Sequence, residues 1–125
     1  MYLVFDFDHT LAVEGVVYPG LGDILKELVE RGHHLYLCSY NPMAERLLTE
    51  QELFYLFTDV LHIPDLDKGL SIRNYCWEKG LDLHQVLFFD DDRNSISCAR
   101  MQGIKTCYVG HSGLTAQMIR EVLPI

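Results

Sequence analysis

The 125-residue chain is short of positive charge, of clustered cysteine and of long apolar runs. Lys and Arg number 10 against 18 Asp and Glu, a net charge of −8 with neutral histidines, and the basic residues are scattered from Lys26 to Arg120. Nucleic-acid binding gathers Lys and Arg where they neutralise successive phosphates, so no nucleic-acid partner is expected. The opening run Tyr2 to Phe5 is cut off by Asp6, too short for an export signal or a membrane span; no membrane partner and a cytoplasmic location follow as expectations. Cys38, Cys76, Cys98 and Cys107 have neither CxxC spacing nor the density of a disulfide-stapled secreted domain, which predicts reduced core thiols. Repeats, low-complexity tracts and linkers are also missing, so residues 1–125 read as one domain. A hydrophobic fraction of 49% with 22% charged residues excludes a disordered chain.

What is present is a set of short, continuous apolar runs. Tyr2 to Phe5, Leu35 to Cys38, Val86 to Phe89 and Thr106 to Val109 do not alternate with polar residues, and Val60 to Ile63 forms a weaker fifth run. Continuous runs suit strands covered on both faces in a parallel sheet. Between them lie helical patterns. Leu21, Ile24, Leu25, Leu28 and Val29 make one stripe ending at Gly32, and Asn41-Pro42 predicts a second helix start. Lys68 to Lys79, Asp92 to Gln102 with Asp92 as cap, and Leu114 to Val122 supply three more. The alternation predicts an α/β protein, a three-layer α/β/α Rossmann-like domain with a mostly parallel five-stranded sheet.

In such a sheet the ligand crevice lies beyond the carboxyl ends of the strands. The residues standing there are Asp6-Phe7-Asp8-His9-Thr10 after the first run, Ser39-Tyr40-Asn41 after the second, and Asp90-Asp91-Asp92 after Phe89. Four or five converging carboxylates repel one another unless a cation sits between them, and oxygen ligands suit a hard divalent ion, Mg²⁺ when phosphate completes its shell. Asp6 and Asp8, one residue apart in an extended segment, point the same way, so one can act as nucleophile or metal ligand and the other as acid or base.

The segment Leu3-Val4-Phe5-Asp6-Phe7-Asp8-His9-Thr10-Leu11 resembles the first signature of the haloacid dehalogenase superfamily, an apolar strand leading into Asp-x-Asp-x-Thr-Leu. Ser39 at a strand end, Lys68 placed 22 residues before Asp90, and Phe88-Phe89-Asp90-Asp91 follow in that family's order. The resemblance implies a phosphohydrolase in which Asp6 forms an aspartyl-phosphate and Asp8 serves as general acid and then general base. It implies Mg²⁺ held by the Asp6 carboxylate, the Asp8 backbone carbonyl and Asp90 or Asp91, with phosphate contacted by Ser39, Lys68 and Thr10. His9 and Asn41 are further candidates for substrate contact. Leu11 and Pro19 lie eight residues apart, room for a small flap over Val13 to Val17 and not for a cap domain. The chain thus resembles a capless member, closest to the magnesium-dependent phosphatases. An open site of this kind accepts a phosphorylated small molecule or a phosphoprotein, or is closed by a second subunit in a homo-oligomer.

Two other readings share these residues. A phospho-receiver domain also forms an aspartyl-phosphate, with Lys105 cast as its lysine, and a catalytically weak module would hold a phosphorylated ligand without releasing phosphate.

Overall fold

Leu3 and Phe5 face one side of the first strand and Val4 the other, and both sides are packed. A strand sandwiched between helical layers has no solvent face to leave polar, which is why the apolar runs are continuous. The computed structural model describes residues 1–63 and 67–123. In chain order the elements are β1 (Tyr2–Phe5), β2 (Ala12–Val13), β3 (Val16–Val17), α1 (Leu21–Glu30), β4 (His34–Leu37), α2 (Ala44–Glu50) and β5 (Phe57–Val60). They continue with α3 (Lys68–Lys79), β6 (Val86–Asp90), α4 (Arg93–Met101), β7 (Lys105–Tyr108) and α5 (Ala116–Val122).

Five strands pair in parallel in the order β5-β4-β1-β6-β7. The layer holding α1, α2 and α5 buries Leu25, Leu28, Leu48 and Ile119 against Leu3, Phe5 and Phe89. Opposite it, α3 and α4 bury Ile72, Cys76, Ile96 and Ala99 against Val4, Tyr36 and Phe88. Phe5 and Phe89 stack across neighbouring strands with ring centroids 4.8 Å apart, one residue before Asp6 and Asp90. The four cysteines are free, with Cys38 and Cys76 buried and the other two half-buried. Among the described residues no helix is long and apolar enough to cross a membrane.

The three-layer architecture is as expected, and the two largest shifts in element bounds are at β5 and α2. The fifth strand is Phe57–Val60 rather than Val60 to Ile63, because a short 3-10 turn at Phe54–Leu56 delivers the chain to the sheet edge early. The second helix begins at Ala44 rather than Asn41: Asn41 Oδ1 accepts the Met43 N–H at 2.8 Å, which folds Asn41 to Met43 into a turn ahead of the helix. Asp92 caps α4 as expected, accepting the Asn94 and Ser95 N–H groups. The flap is the β2–β3 hairpin, turned by Glu14 and Gly15 at φ of 51° and 82°, the left-handed pair a two-residue hairpin needs. Gln51 ties it down, accepting from the Val17 N–H at 2.9 Å and donating to the Gly15 carbonyl at 2.8 Å. Among the described residues this hairpin is the insertion between β1 and α1, and none of them forms a cap domain.

The crossing of α3 and α4 requires a glycine. A Cβ on Gly69 would lie 2.5 Å from the Cys98 carbonyl oxygen and 2.6 Å from its carbon, both rigid backbone. Gly69→Ala is therefore expected to destabilise the fold by about 1–3 kcal/mol, read as a lower urea midpoint. Lys68 is the preceding residue, so the displaced helix would also move its ammonium. A shift of about 1 Å in such a group is enough for a loss of about a hundredfold in turnover.

Candidate active site

The ends of β1, β4 and β6 meet at one edge of the sheet, because the parallel register aligns Phe5 with Leu37 on one side and Phe89 on the other. Asp6, Ser39 and Asp90 are thereby brought to the rim of one cavity of about 230 Å³, together with Asp8, His9, Asn41, Lys68 and Asp91. At its centre the buried Lys68 ammonium donates to Asp6 Oδ1 and Asp90 Oδ2, each at 2.8 Å. Lys68 is the first residue of α3, and the Asp67 carboxylate caps that helix by accepting the Leu70 N–H. The stretch Asp65-Leu66-Asp67 that precedes Lys68 lies in part outside the described residues, while Lys68 itself is buried.

Charge is unevenly balanced here. Burial raises the pKa of Asp6, only partly countered by the adjacent Lys68. Burial and then the Asp6 charge raise that of Asp90, again against the pull of Lys68. For Lys68, burial works against the ammonium, yet Asp6 and Asp90 outweigh it and hold the pKa well above the ordinary lysine value. One ammonium thus faces three carboxylates, since Asp6, Asp90 and Asp91 bring one oxygen each within 4.8 Å of the others. An all-oxygen donor set with surplus negative charge fits a hard divalent cation, Mg²⁺ among them. Asp90 is fully buried, its second oxygen accepting the Asp92 N–H at 3.0 Å, whereas Asp91 is half-exposed and turned to the cavity.

The remaining predicted residues divide by what they touch. The Ser39 oxygen accepts the Asn41 N–H at 3.1 Å, which leaves the hydroxyl proton to donate into the cavity. Asn41 Nδ2 donates to Asp8 Oδ2 at 3.0 Å, fixing the Asp8 carboxylate at the rim. His9 is exposed, in left-handed backbone at φ 61°, with its N–H donating to the Ala12 carbonyl at 2.7 Å. Thr10, expected to touch phosphate, is instead enclosed behind the site: it is fully buried and its hydroxyl donates to Asp6 Oδ2 at 3.2 Å. The turn that carries the chain back toward Ala12 points it inward, so its hydroxyl meets Asp6 and, at 3.5 Å, Asp91 Oδ1. Lys105 opens β7 on an exposed position three residues before the register partner of Asp90, at the far end of the strand from the acids. That placement removes it from the role a phospho-receiver would require.

One residue at the rim, Tyr40, stands at the expected crevice but has no role assigned to it from the sequence. The largely exposed Tyr40 ring stands 5.1 Å from the Lys68 ammonium, close enough for cation–π attraction. Its position between Ser39 and Asn41, both chemically suggestive, was the available signal.

Solved structures share this fold. The core domain of a protein assigned as a phosphoglycolate phosphatase from Streptococcus pneumoniae superposes with a TM-score of 0.74 at 16% identity, covering 97% of this chain and 93% of that one. A hydrolase of the haloacid dehalogenase superfamily from Geobacter sulfurreducens gives 0.70 at 15% identity, over 86% and 61%. The fold is that of the haloacid dehalogenase superfamily. The N-terminal part of a Bacteroides fragilis protein, containing a phosphatase domain complexed with Mg, superposes with a TM-score of 0.70 at 18% identity over 89% of this chain and 36% of that one. In sequence the chain is 26% identical over 121 residues to the enolase-phosphatase E1 of Marinobacter nauticus. The match takes in 91% of this chain and 53% of that protein, so the chain spans about half the length of this curated relative. No family model matches the chain.

Proposed function

We propose that this chain is a Mg²⁺-dependent phosphatase that hydrolyses phosphate monoesters through an aspartyl-phosphate on Asp6. The observation that carries the reading is the buried Lys68 ammonium held 2.8 Å from both Asp6 and Asp90 at the strand ends. That contact orients Asp6, and works against the burial that raises its pKa, at the place where an incoming phosphate would meet a positive charge. Phosphatases and hydrolases among the similar proteins support it.

A carboxylate oxygen of Asp6 attacks phosphorus, and the bond from phosphorus to the ester oxygen breaks. Asp8, steadied by Asn41, gives its proton to the departing oxygen, so the alcohol leaves neutral. Water then attacks the aspartyl-phosphate, Asp8 takes the proton from that water, and inorganic phosphate leaves with the Asp6 carboxylate restored. Thr10 and Lys68 hold the two oxygens of Asp6 throughout. Ser39 donates its free hydroxyl proton to a phosphoryl oxygen. Asp6, Asp90 and Asp91, with the Asp8 backbone carbonyl, would hold Mg²⁺, which when bound neutralises the charge that otherwise keeps a carboxylate and a phosphate apart.

The test is phosphate release from p-nitrophenyl phosphate, phosphotyrosine and phosphoserine peptides and a sugar phosphate, with Mg²⁺ and with EDTA. Metal-dependent release is expected; folded, metal-loaded protein that binds these compounds without releasing phosphate would establish the binding module instead. Ser39→Ala is expected to lower kcat by about 10²–10³-fold, the cost of one donor to a developing oxyanion. An unchanged kcat in that variant would confine Ser39 to shaping the turn at Asn41.

A further inference from the structure

The chain carries a surplus of eight negative charges, and its catalytic cavity is rimmed by carboxylates, yet one adjoining surface is cationic. Arg93, Ser97 and Arg100 lie at i, i+4 and i+7 on α4, a spacing that puts all three on one face. With Ile96 and Tyr108 they line a groove of about 260 Å³. The Arg93 guanidinium lies over the Tyr108 ring at 5.4 Å, and its Nε donates to the Tyr108 hydroxyl at 3.4 Å. Arg100 Nε donates to Thr106 Oγ1 at 2.8 Å. Both guanidiniums are thus fixed by neutral partners, and neither forms an ion pair among the described residues. Each has donors left over, in a geometry already set for an anion.

The groove starts where the catalytic acids end. Tyr108 is the register partner of Asp90, and Arg93 follows Asp90, Asp91 and Asp92 directly. From Arg93 to Arg100 the stripe runs about 10 Å along α4, away from the cavity. A second phosphate on a small metabolite would reach one of these arginines; a chain with repeated negative charges reaches both. We propose that the Arg93–Ser97–Arg100 face with Tyr108 is a docking subsite for an acidic segment flanking the phosphorylated residue of a polypeptide substrate. This rests on the phosphatase reading and names its substrate class. The cationic face also draws such a segment past carboxylates that would otherwise repel it.

Two phosphotyrosine peptides, identical except that a run of glutamates or of glutamines follows the phosphoresidue, test it against wild type and the Arg93→Ala/Arg100→Ala double variant. Wild type is expected to show a KM about tenfold lower for the glutamate peptide, the sum of two exposed charge contacts. The double variant should lose that preference with kcat unchanged and with p-nitrophenyl phosphate turnover intact, and added salt should shrink it in wild type. Arg93→Lys/Arg100→Lys should retain part of it. Equal KM values for the two peptides in wild type would overturn the subsite. Fluorescence anisotropy of the labelled glutamate peptide reads docking without turnover, so an enzyme that releases no phosphate from any substrate but binds this peptide through the two arginines would sink the phosphatase reading and keep the subsite. Displacement of the peptide by a single-stranded oligonucleotide at lower concentration than by a glutamate-rich competitor would assign the face to nucleic acid and overturn the peptide proposal.

Discussion

Asp6→Asn is expected to abolish phosphate release, with a fall in kcat on the order of 10⁴-fold or more, while the protein stays folded. An amide cannot form the acyl-phosphate, and Lys68 keeps Asp90 as a partner 2.8 Å away. The sign of the stability effect follows from the direction of the Asp6 shift. Burial raises its folded-state pKa above the ordinary value of 3.8, so the stabilisation it offers is present below that value and is lost as pH rises through the raised one. A neutral amide carries none of the burial penalty that a carboxylate meets here. The metal-free Asp6→Asn protein should melt at or above the wild-type temperature at pH 7. Acid-quenched protein incubated with ³²P-labelled substrate should retain label in wild type and none in the variant. Substantial turnover by purified Asp6→Asn would end the proposed mechanism.

Lys68→Met is expected to damage stability as well as activity. It removes the ammonium and leaves Asp6 and Asp90 buried with no compensating charge, a change that costs about 3–5 kcal/mol when one partner of a buried pair is lost. Because the Lys68 pKa is raised, its stabilising contribution is fully present at pH 7, below the ordinary lysine value of 10.5, and wanes only as alkaline pH approaches the raised one. In its absence the two carboxylates shift further upward. The deficit in the metal-free variant should therefore narrow as pH is lowered toward the ordinary carboxylate range. Denaturant midpoints at pH 7 and pH 5, with and without Mg²⁺, measure this: rescue by acid and by the cation is expected. A constant deficit at both pH values would mean that Lys68 stabilises by packing and not by charge.

Much of the scaffold was legible because its signals are local and periodic. Helix α3 has the predicted bounds, since Lys68 to Lys79 is followed directly by Gly80 in left-handed backbone at φ 69°. Helix α4 begins after its Asp92 cap for the same kind of reason. Strand β5 was misplaced by three residues because Phe57 to Ile63 is apolar at both ends and nothing in that run marks where edge pairing starts. The start of α2 was misread because one residue, Asn41, can cap a helix or close a turn, and the choice rests on where its side chain finds partners.

The order of apolar runs and helical stripes determined a three-layer parallel sheet, and the position of Asp6, Asp8, Ser39, Asp90 and Asp91 after those runs determined which edge gathers these side chains. Both follow from residue period and from the polarity of parallel strands. Only the tertiary structure decided that Lys68 sits on residues 62 and 22 positions away, that Asn41 holds Asp8, and that Thr10 turns inward to Asp6. Those contacts depend on the register of separate strands and on how closely α3 and α4 approach at Gly69, quantities set by packing between distant segments.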